Sequence, residues 1–310
     1  MQGKPRHYLR ITPSDPKQAE AAPDPDEAEM SIANGGGKYP ARNIVGGDFL
    51  QLVRLGVRAA NDPVIVDSIA VMDQELKRDL PQGPCWRRYN HDGYGQKADG
   101  NAYDGSGEGR CWPILTGERG HYELAAGHDP LPFIETMEKS ANEGGMLPEQ
   151  VWDTDDSPNG KMKRGGPTGS AMPLCWTHAE YVSLVRSHKD GVSFDRIEPA
   201  YQRYVKAGAD SQIEMWTLAH QPRQMAKGKT LRIITQASAK IHWSFDGWVT
   251  ANDLETRDAG IECWFADLPA DQLPAETPIV FTFLWQEGWE GKDFQVVIAE
   301  SIPPPQPSKS

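Results

Sequence analysis

The chain is poor in cysteine, in basic residues and in long apolar runs, and each shortage removes a class of function. Only four cysteines occur in 310 residues: Cys85, Cys111, Cys175 and Cys263. None forms a C-x-x-C pair, and the eight histidines show no H-E-x-x-H spacing, so no metal site is expected. Their mostly apolar or aromatic neighbours, Trp86, Trp112, Leu174, Trp176 and Trp264, predict reduced, buried thiols. Lys and Arg number 32 against 44 Asp and Glu, a net charge of −12. Phosphates need cations to neutralise them, so nucleic acid and anionic membrane are excluded as partners. No apolar run reaches the ~20 residues that span a bilayer. Residues 1–30 are polar and rich in Pro and Asp, which is no signal peptide.

What is present begins with an acidic Pro/Ala/Gly stretch at 14–40, expected to be a loop or mobile segment. Phe49, Leu52, Val53, Gly56, Val57 and Ala60 then recur at helical spacing. Asn61-Asp62-Pro63 breaks and restarts the helix, and Ile65, Ile69, Met72, Leu76 and Leu80 continue the stripe to Pro81. Further helices are expected near 110–126, 130–143 and 173–188, with a last pattern from Ile197 to Val205. After Gln221-Pro222 the texture turns to short β-rich runs separated by turns such as Asp246-Gly247, the pattern of a small antiparallel sandwich. Residues 302–310 are a Pro/Ser tail expected to be disordered.

Between the helices lie two long irregular loops, 81–109 and 144–172, of a length that usually carries function. They are dense in Trp, Tyr, Asp, Asn and Gly. Flat rings stack on the apolar faces of pyranoses, while carboxylates and amides take the hydroxyls, so this mixture suits a sugar. Glu149 sits next to Gln150 and three residues before Trp152 in Met146-Leu-Pro-Glu-Gln-Val-Trp-Asp153. After Pro148 it could equally be a helix N-terminal carboxylate stabilised by the macrodipole. Gln150 could orient that carboxylate or bind a hydroxyl. Arg88 could bind vicinal hydroxyls or form a structural ion pair. Asp92, Tyr94, Asp99 and Tyr103 are candidate sugar contacts, although Asp-Gly at 92–93 and 99–100 is also turn chemistry. Trp112 and Trp152 are candidate stacking platforms, Trp152 the better one.

RYNHDGYGQKADG (88–100), GRCWPILTGERGHYELAAG (109–127), MLPEQVWD (146–153) and PTGSAMPLCWTHAEYVSLVRS (167–187) together resemble the family 15 glycoside hydrolases, in the bacterial glucoamylase and glucodextranase branch. The resemblance covers roughly residues 8–207. It implies a mainly α fold: half of an (α/α)6 barrel in residues 1–220, followed by a small antiparallel β-sandwich at 221–301. It implies that Glu149 is the general base of an inverting hydrolysis that releases β-D-glucose from the non-reducing ends of an α-glucan. Arg88, Tyr89, Asp92, Tyr94, Tyr103, Trp112, Gln150 and Trp152 would bind substrate. No cofactor is implied, because two carboxylates suffice for this chemistry. Gly46-Gly47-Asp48-Phe49 departs from the family pattern at its position.

The family's general acid lies in a Trp-Glu-Glu type motif well before the base, and this chain has no counterpart there. Trp285-Gln-Glu-Gly-Trp-Glu290 is a decoy, because it follows the base and lies among β-rich runs. The chain therefore reads as a C-terminal portion whose partner would be the missing N-terminal half. It is expected to be a poor catalyst alone, with exposed helix faces that favour self-association. Alternatives are a non-catalytic carbohydrate-binding remnant and one half of a split enzyme. A full-length form with a signal peptide would be extracellular or periplasmic, and one without it cytoplasmic. The sandwich tryptophans, Trp243, Trp248, Trp264, Trp285 and Trp289, are read as core and interface rather than as a carbohydrate-binding surface.

Overall fold

The computed structural model describes residues 7–9, 29–218 and 220–300. The tail expected to be disordered at 302–310, and the 14–28 part of the stretch expected to be mobile, lie outside them. The described chain divides into two compact units, one comprising 7–9 and 29–209 and the other starting at Asp210. Strands carry about as much of the described chain as helices, so the expectation of a mainly α protein is corrected to a mixed one. No helix among the described residues is long and apolar enough to cross a membrane.

Among the described residues the first unit holds six α-helices: α1 (Leu50–Arg54), α2 (Pro63–Leu76), α3 (Pro113–Ala125), α4 (Leu131–Lys139), α5 (Cys175–Asp190) and α6 (Glu198–Ala200), the last running into a π-helical turn at Tyr201–Lys206, with a short 3-10 turn at Ala41–Asn43. Asp62 caps α2 by accepting the Val64 N–H at 2.9 Å, with Pro63 in the first turn where its missing N–H costs nothing. Ile65, Ile69, Met72 and Leu76 are buried against Val45, Phe49, Leu50, Val53, Trp86 and Tyr122. α1 is much shorter than its apolar pattern predicts, because Gly56 adopts φ +81° and turns the chain away.

Alpha-helical spacing also misleads at Leu80. Residues Lys77–Leu80 form β3, paired antiparallel with β4 (Gly83–Arg87), which pairs in turn with β5 (Cys111–Trp112). Sheet pairing outweighs the four-residue spacing of Leu76 and Leu80. A second unforeseen hairpin joins β1 (Glu29–Ile32) to β2 (Gly37–Pro40), so the 29–40 part of the expected mobile segment is ordered. Tyr39 of β2 stacks on His91 with ring centroids 3.7 Å apart, which ties this hairpin to the long loop. Of the four thiols, Cys85 and Cys111 are buried, whereas Cys175 is exposed in the first turn of α5 and Cys263 is half-buried.

α3 packs against α5, α4 and α1. Close approach to α5 depends on two glycines. A Cβ on Gly117 would lie 2.5 Å from Glu180 Cγ, and one on Gly120 would lie 2.7 Å from Leu184 Cδ2. A buried polar network lies along this contact. Arg54 Nη1 donates to both Glu180 oxygens at 2.9 and 2.8 Å, its Nε donates to Asp195 at 2.8 Å, and His121 Nδ1 lies 2.9 Å from Glu180. Burial opposes the Glu180 charge, yet His121 and Arg54 hold its carboxyl below the usual range. Neighbouring Glu118 lacks such compensation. Burial and the charge of Glu180 push its carboxyl up to about 7, against the pull of Arg54.

The second unit packs two sheets around a core of Trp216, Leu231, Ile233, Ile241, Phe281, Phe283 and Val296. Its strands in chain order are β6 (Ile213–Thr217), β7 (Gln224–Ala226), β8 (Thr230–Thr235), β9 (Lys240–Ser244), β10 (Asn252–Glu255), β11 (Arg257–Asp258), β12 (Trp264–Leu268), β13 (Pro278–Trp285), β14 (Gly288–Trp289) and β15 (Phe294–Ala299). One sheet runs β10-β9-β13-β15-β7, with β14 on β13, and the other β11-β12-β8-β6. The two β sheets are antiparallel except that β7 joins β15, and β6 joins β8, in parallel. Those two edge pairings correct the expectation of a purely antiparallel sandwich. Strand alternation explains the core: on β8 and β9 every second residue, such as Leu231, Ile233, Ile241 and Trp243, points inward.

Candidate active site

Glu149 stands in an extended segment, well before α5 begins at Cys175, so it is not a helix N-terminal carboxylate. Backbone bonds hold this segment on both sides. Val151 N–H donates to Cys111 O at 2.9 Å, Glu149 N–H to Ala171 O at 2.9 Å and Trp152 N–H to Gly166 O at 2.8 Å. Leu147 N–H donates to His178 Nε2 at 3.0 Å, and Thr177 Oγ1 to Pro148 O at 3.2 Å, which anchors the start of the segment to α5. His178 lies in the first turn of α5, and nothing in the sequence marks it for this anchoring role.

Glu149 is 7% exposed. Gln150 Nε2 donates to its Oε1 at 3.3 Å and to Tyr94 O at 3.2 Å, while Gln150 Oε1 accepts the Arg110 N–H at 3.0 Å. Because the Arg110 amide can only donate, the Gln150 oxygen must face it, and the amide nitrogen is left to face Glu149. Of the two roles expected for Gln150, the geometry favours orienting the carboxylate over binding a hydroxyl. Tyr94 stands beside Glu149. Burial, then the Glu149 charge, push the Tyr94 phenol above its ordinary range and keep it protonated as a donor.

Beside this pair, Arg88 grips Asp92 with two parallel bonds of 2.8 and 3.0 Å. Its guanidinium lies 4.9 Å from the Trp112 ring centre, 5.2 Å from Tyr94 and 5.3 Å from Tyr89. Both expectations for Arg88 therefore meet in one residue: it is ion-paired, and its side chain remains 32% exposed. Tyr103 packs edge-on against Tyr94 and donates to Asn34 Oδ1 at 2.8 Å, in the turn of the β1–β2 hairpin. Trp112 is buried, with its ring tilted against Tyr94. Tyr89 instead packs with Met30, Ala41 and Ile44. Asp99 lies apart as a turn former, accepting the Asn101 N–H at 2.9 Å.

Trp152 corrects its expected role. It is 1% exposed, and Arg110 stacks on its ring at 3.9 Å, so the indole offers no face to a sugar. It belongs to a buried layer that sequence reasoning did not single out. Arg87 grips Asp153 at 2.7 and 2.9 Å and reaches Glu108 at 2.9 Å, and Arg110 joins both carboxylates. Burial opposes the charge of Asp153, yet Arg87 and Arg110 hold its carboxyl below the usual range. Burial, followed by Cys85, pushes the Cys111 thiol well up, so it stays protonated beneath this layer. The carboxylates that share the site with Glu149, namely Asp92, Glu108 and Asp153, are thus each paired with arginine.

The profile of the Glycosyl hydrolases family 15 matches residues 17–186. A glucoamylase from Clostridium sp. (strain G0005) is 47% identical over 201 residues, 64% of this chain and 26% of that protein. A crystal structure of a bacterial glucoamylase complexed with acarbose is similar with a TM-score of 0.56 and 47% identity, over 64% of this chain and 27% of the other. The chain thus spans about a quarter of the length of these relatives. The profile match contains Glu149, Gln150, Tyr94 and the Arg88–Asp92 pair, and it extends over more than half of the chain, which therefore belongs to glycosyl hydrolases family 15.

Proposed function

We propose that this chain carries the general-base side of an inverting α-glucan hydrolase that acts from non-reducing ends. The observation that carries the reading is the buried Glu149, oriented by the hydrogen bond from the Gln150 amide, beside the part-exposed side chain of Arg88. A general base must be ionised and aimed at water. The locked Gln150 amide fixes the orientation of the Glu149 carboxylate. In the reaction Glu149 takes a proton from water as that water attacks the anomeric carbon from the face opposite the leaving oxygen. Arg88, Tyr94, Tyr103 and Asp92 shape the sugar site next to it.

Inversion also needs an acid ~6.5–9.5 Å from the base, to protonate the leaving oxygen. Asp92 and Glu108 are engaged in ion pairs with arginine, and Arg87 and Arg110 hold the Asp153 carboxyl below the usual range, which makes it a poor proton donor. Glu290, the decoy, accepts the Trp285 indole N–H at 2.6 Å within a hairpin of the other unit. In the proposed reading the acid comes from a preceding polypeptide that also completes an (α/α)6 barrel of which α1–α6 are half. The α-glucan is its substrate. The relatives' greater length supports this reading, as does the glucoamylase relative bound to acarbose.

The test is proton NMR of maltotriose with the folded chain, alone and together with an upstream family 15 half-barrel that carries the acid. The expected result is no glucose from the chain alone and β-glucose first from the pair, abolished by Glu149→Gln. Glucose release by the chain alone, lost in Glu149→Gln, would place the acid within this chain. α-Glucose appearing first would overturn the inverting assignment.

A further inference from the structure

Of the six tryptophans in the second unit, Trp248, Trp264 and Trp289 lie outside its core cluster. Trp248 and Trp289 lie on the outer face of the larger sheet, and Trp289 is 58% exposed. Strand parity puts them there. Ile241 and Trp243 of β9 point inward, so His242 points outward, opposite Asp253 on β10 and Thr282 on β13. Trp289 of β14 pairs with Leu284, two residues further along β13 on that same face. His242 is the hub. Its ring stacks on Trp248 at 5.2 Å and 11°, and meets Trp289 edge-on at 5.6 Å and 75°.

The arrangement is held rigidly at a conformational cost. Trp248 adopts φ +69°, an unusual conformation for a bulky side chain, directly after Gly247 at φ +69°. Ser244 Oγ accepts the Trp248 N–H at 3.0 Å and donates to Asp246 Oδ1 at 2.8 Å, which secures the turn. The indole Nε1 donates to Asp293 Oδ2 at 3.1 Å, and His242 Nδ1 lies 2.6 Å from Asp253. Backbone strain of this kind persists where the surroundings over-determine it and gathers at binding sites. Packing gives no reason for it, because the rings face outward. A cleft of about 440 Å³ adjoins Trp289, lined also by Thr282, Gly291, Lys292 and Asp293, and falls in the size range of small-ligand sites.

We propose that this face of the second unit is a carbohydrate-binding site for an α-glucan chain, separate from the site around Glu149. Indole faces take the apolar faces of successive pyranoses, while Asp293, Lys292 and Asp253 stand at their edges to meet hydroxyls. A nucleic acid would bring phosphates to carboxylates on a chain of net charge −12, which disfavours it. The steep angle between the rings forms a corner. A coiling α-linked chain turns from unit to unit and fits a corner, whereas a flat β-linked ribbon needs coplanar rings. The choice of an α-glucan also rests on the function proposed above.

The test is calorimetric titration of the full chain with maltoheptaose and, in parallel, cellohexaose. Expected is saturable maltoheptaose binding that weakens at least tenfold in Trp289→Ala and in Trp248→Ala and recovers in Trp289→Phe. Near-UV circular dichroism and the melting temperature check that each variant is folded. Trp289 is exposed, so its removal leaves the core intact even where Trp248→Ala fails to fold. Binding unchanged in a folded Trp289→Ala, binding lost in Arg88→Ala alone, or no binding by the folded wild type would each overturn the site. Cellohexaose bound as tightly as maltoheptaose would overturn the α-glucan assignment. None of these readings depends on glucose release, so this site and the catalytic proposal can fail separately.

Discussion

Gln150 shows how one side chain can be tied to both structure and chemistry. Its oxygen satisfies the buried Arg110 N–H and its nitrogen orients Glu149. In the reconstituted two-part enzyme, Gln150→Leu is expected to lower kcat by about 10–100-fold, with KM changed by less than about threefold. Steady-state kinetics on maltotriose would show it, and a rise in KM at constant kcat would make Gln150 a substrate ligand instead. Glu118 governs stability rather than chemistry. Its folded carboxyl stays protonated up to about 7, above the ordinary value of 4.5, so the folded state holds a proton that the unfolded state has lost between those pH values. Stability should therefore fall as pH rises from 4.5 to 7. The carboxyl keeps some contact with solvent, so the loss should be about 2 kcal/mol. Glu118→Gln should flatten this dependence in urea denaturation at pH 5 and pH 8, and an equal slope in both proteins would rule it out. Glu149 and its neighbours were legible in the sequence because a carboxylate–amide pair in a Trp/Tyr-rich loop has a chemical signature. Trp152 was misread because an indole against a sugar and an indole under Arg110 look alike in one dimension.

At the scale of elements, the α3–α5 contact is set by the absence of side chains. Gly117→Ala would force a methyl against Glu180 and disturb its bonds to Arg54 and His121. A loss of about 1–3 kcal/mol is expected, seen as a lower urea midpoint, because overpacking costs that much in well-packed interiors. A stability equal to wild type would show that the helices can separate without penalty. Helix existence was legible from apolar period and from the Asp62-Pro63 start signal. Helix length was not: Gly56 ends α1 early, and Leu80 joins a hairpin despite its helical spacing from Leu76. Both outcomes rest on partners distant in sequence, and a periodic pattern carries no information about those.

At the scale of the whole molecule, α5 exposes Val182 at 65% and Val185 at 38%, on neighbouring positions of one helical face. The isolated chain is expected to self-associate through such surface, with sedimentation that depends on concentration. The double substitution Val182→Glu, Val185→Glu should reduce that association. If the dependence is unchanged, other surface carries it. Sequence by itself determined the change from helical to β texture, the two loops that build the candidate site, the Glu149–Gln150 pair, and the family. These follow from local composition and short-range order, which survive reading along a line. Only the tertiary structure decided which rings are buried, which carboxylates are paired, and that Trp248 and Trp289 face outward around His242 while Trp243 faces in. Those outcomes depend on strand register and on contacts between residues tens of positions apart, where a shift of a single residue would exchange the inner face for the outer.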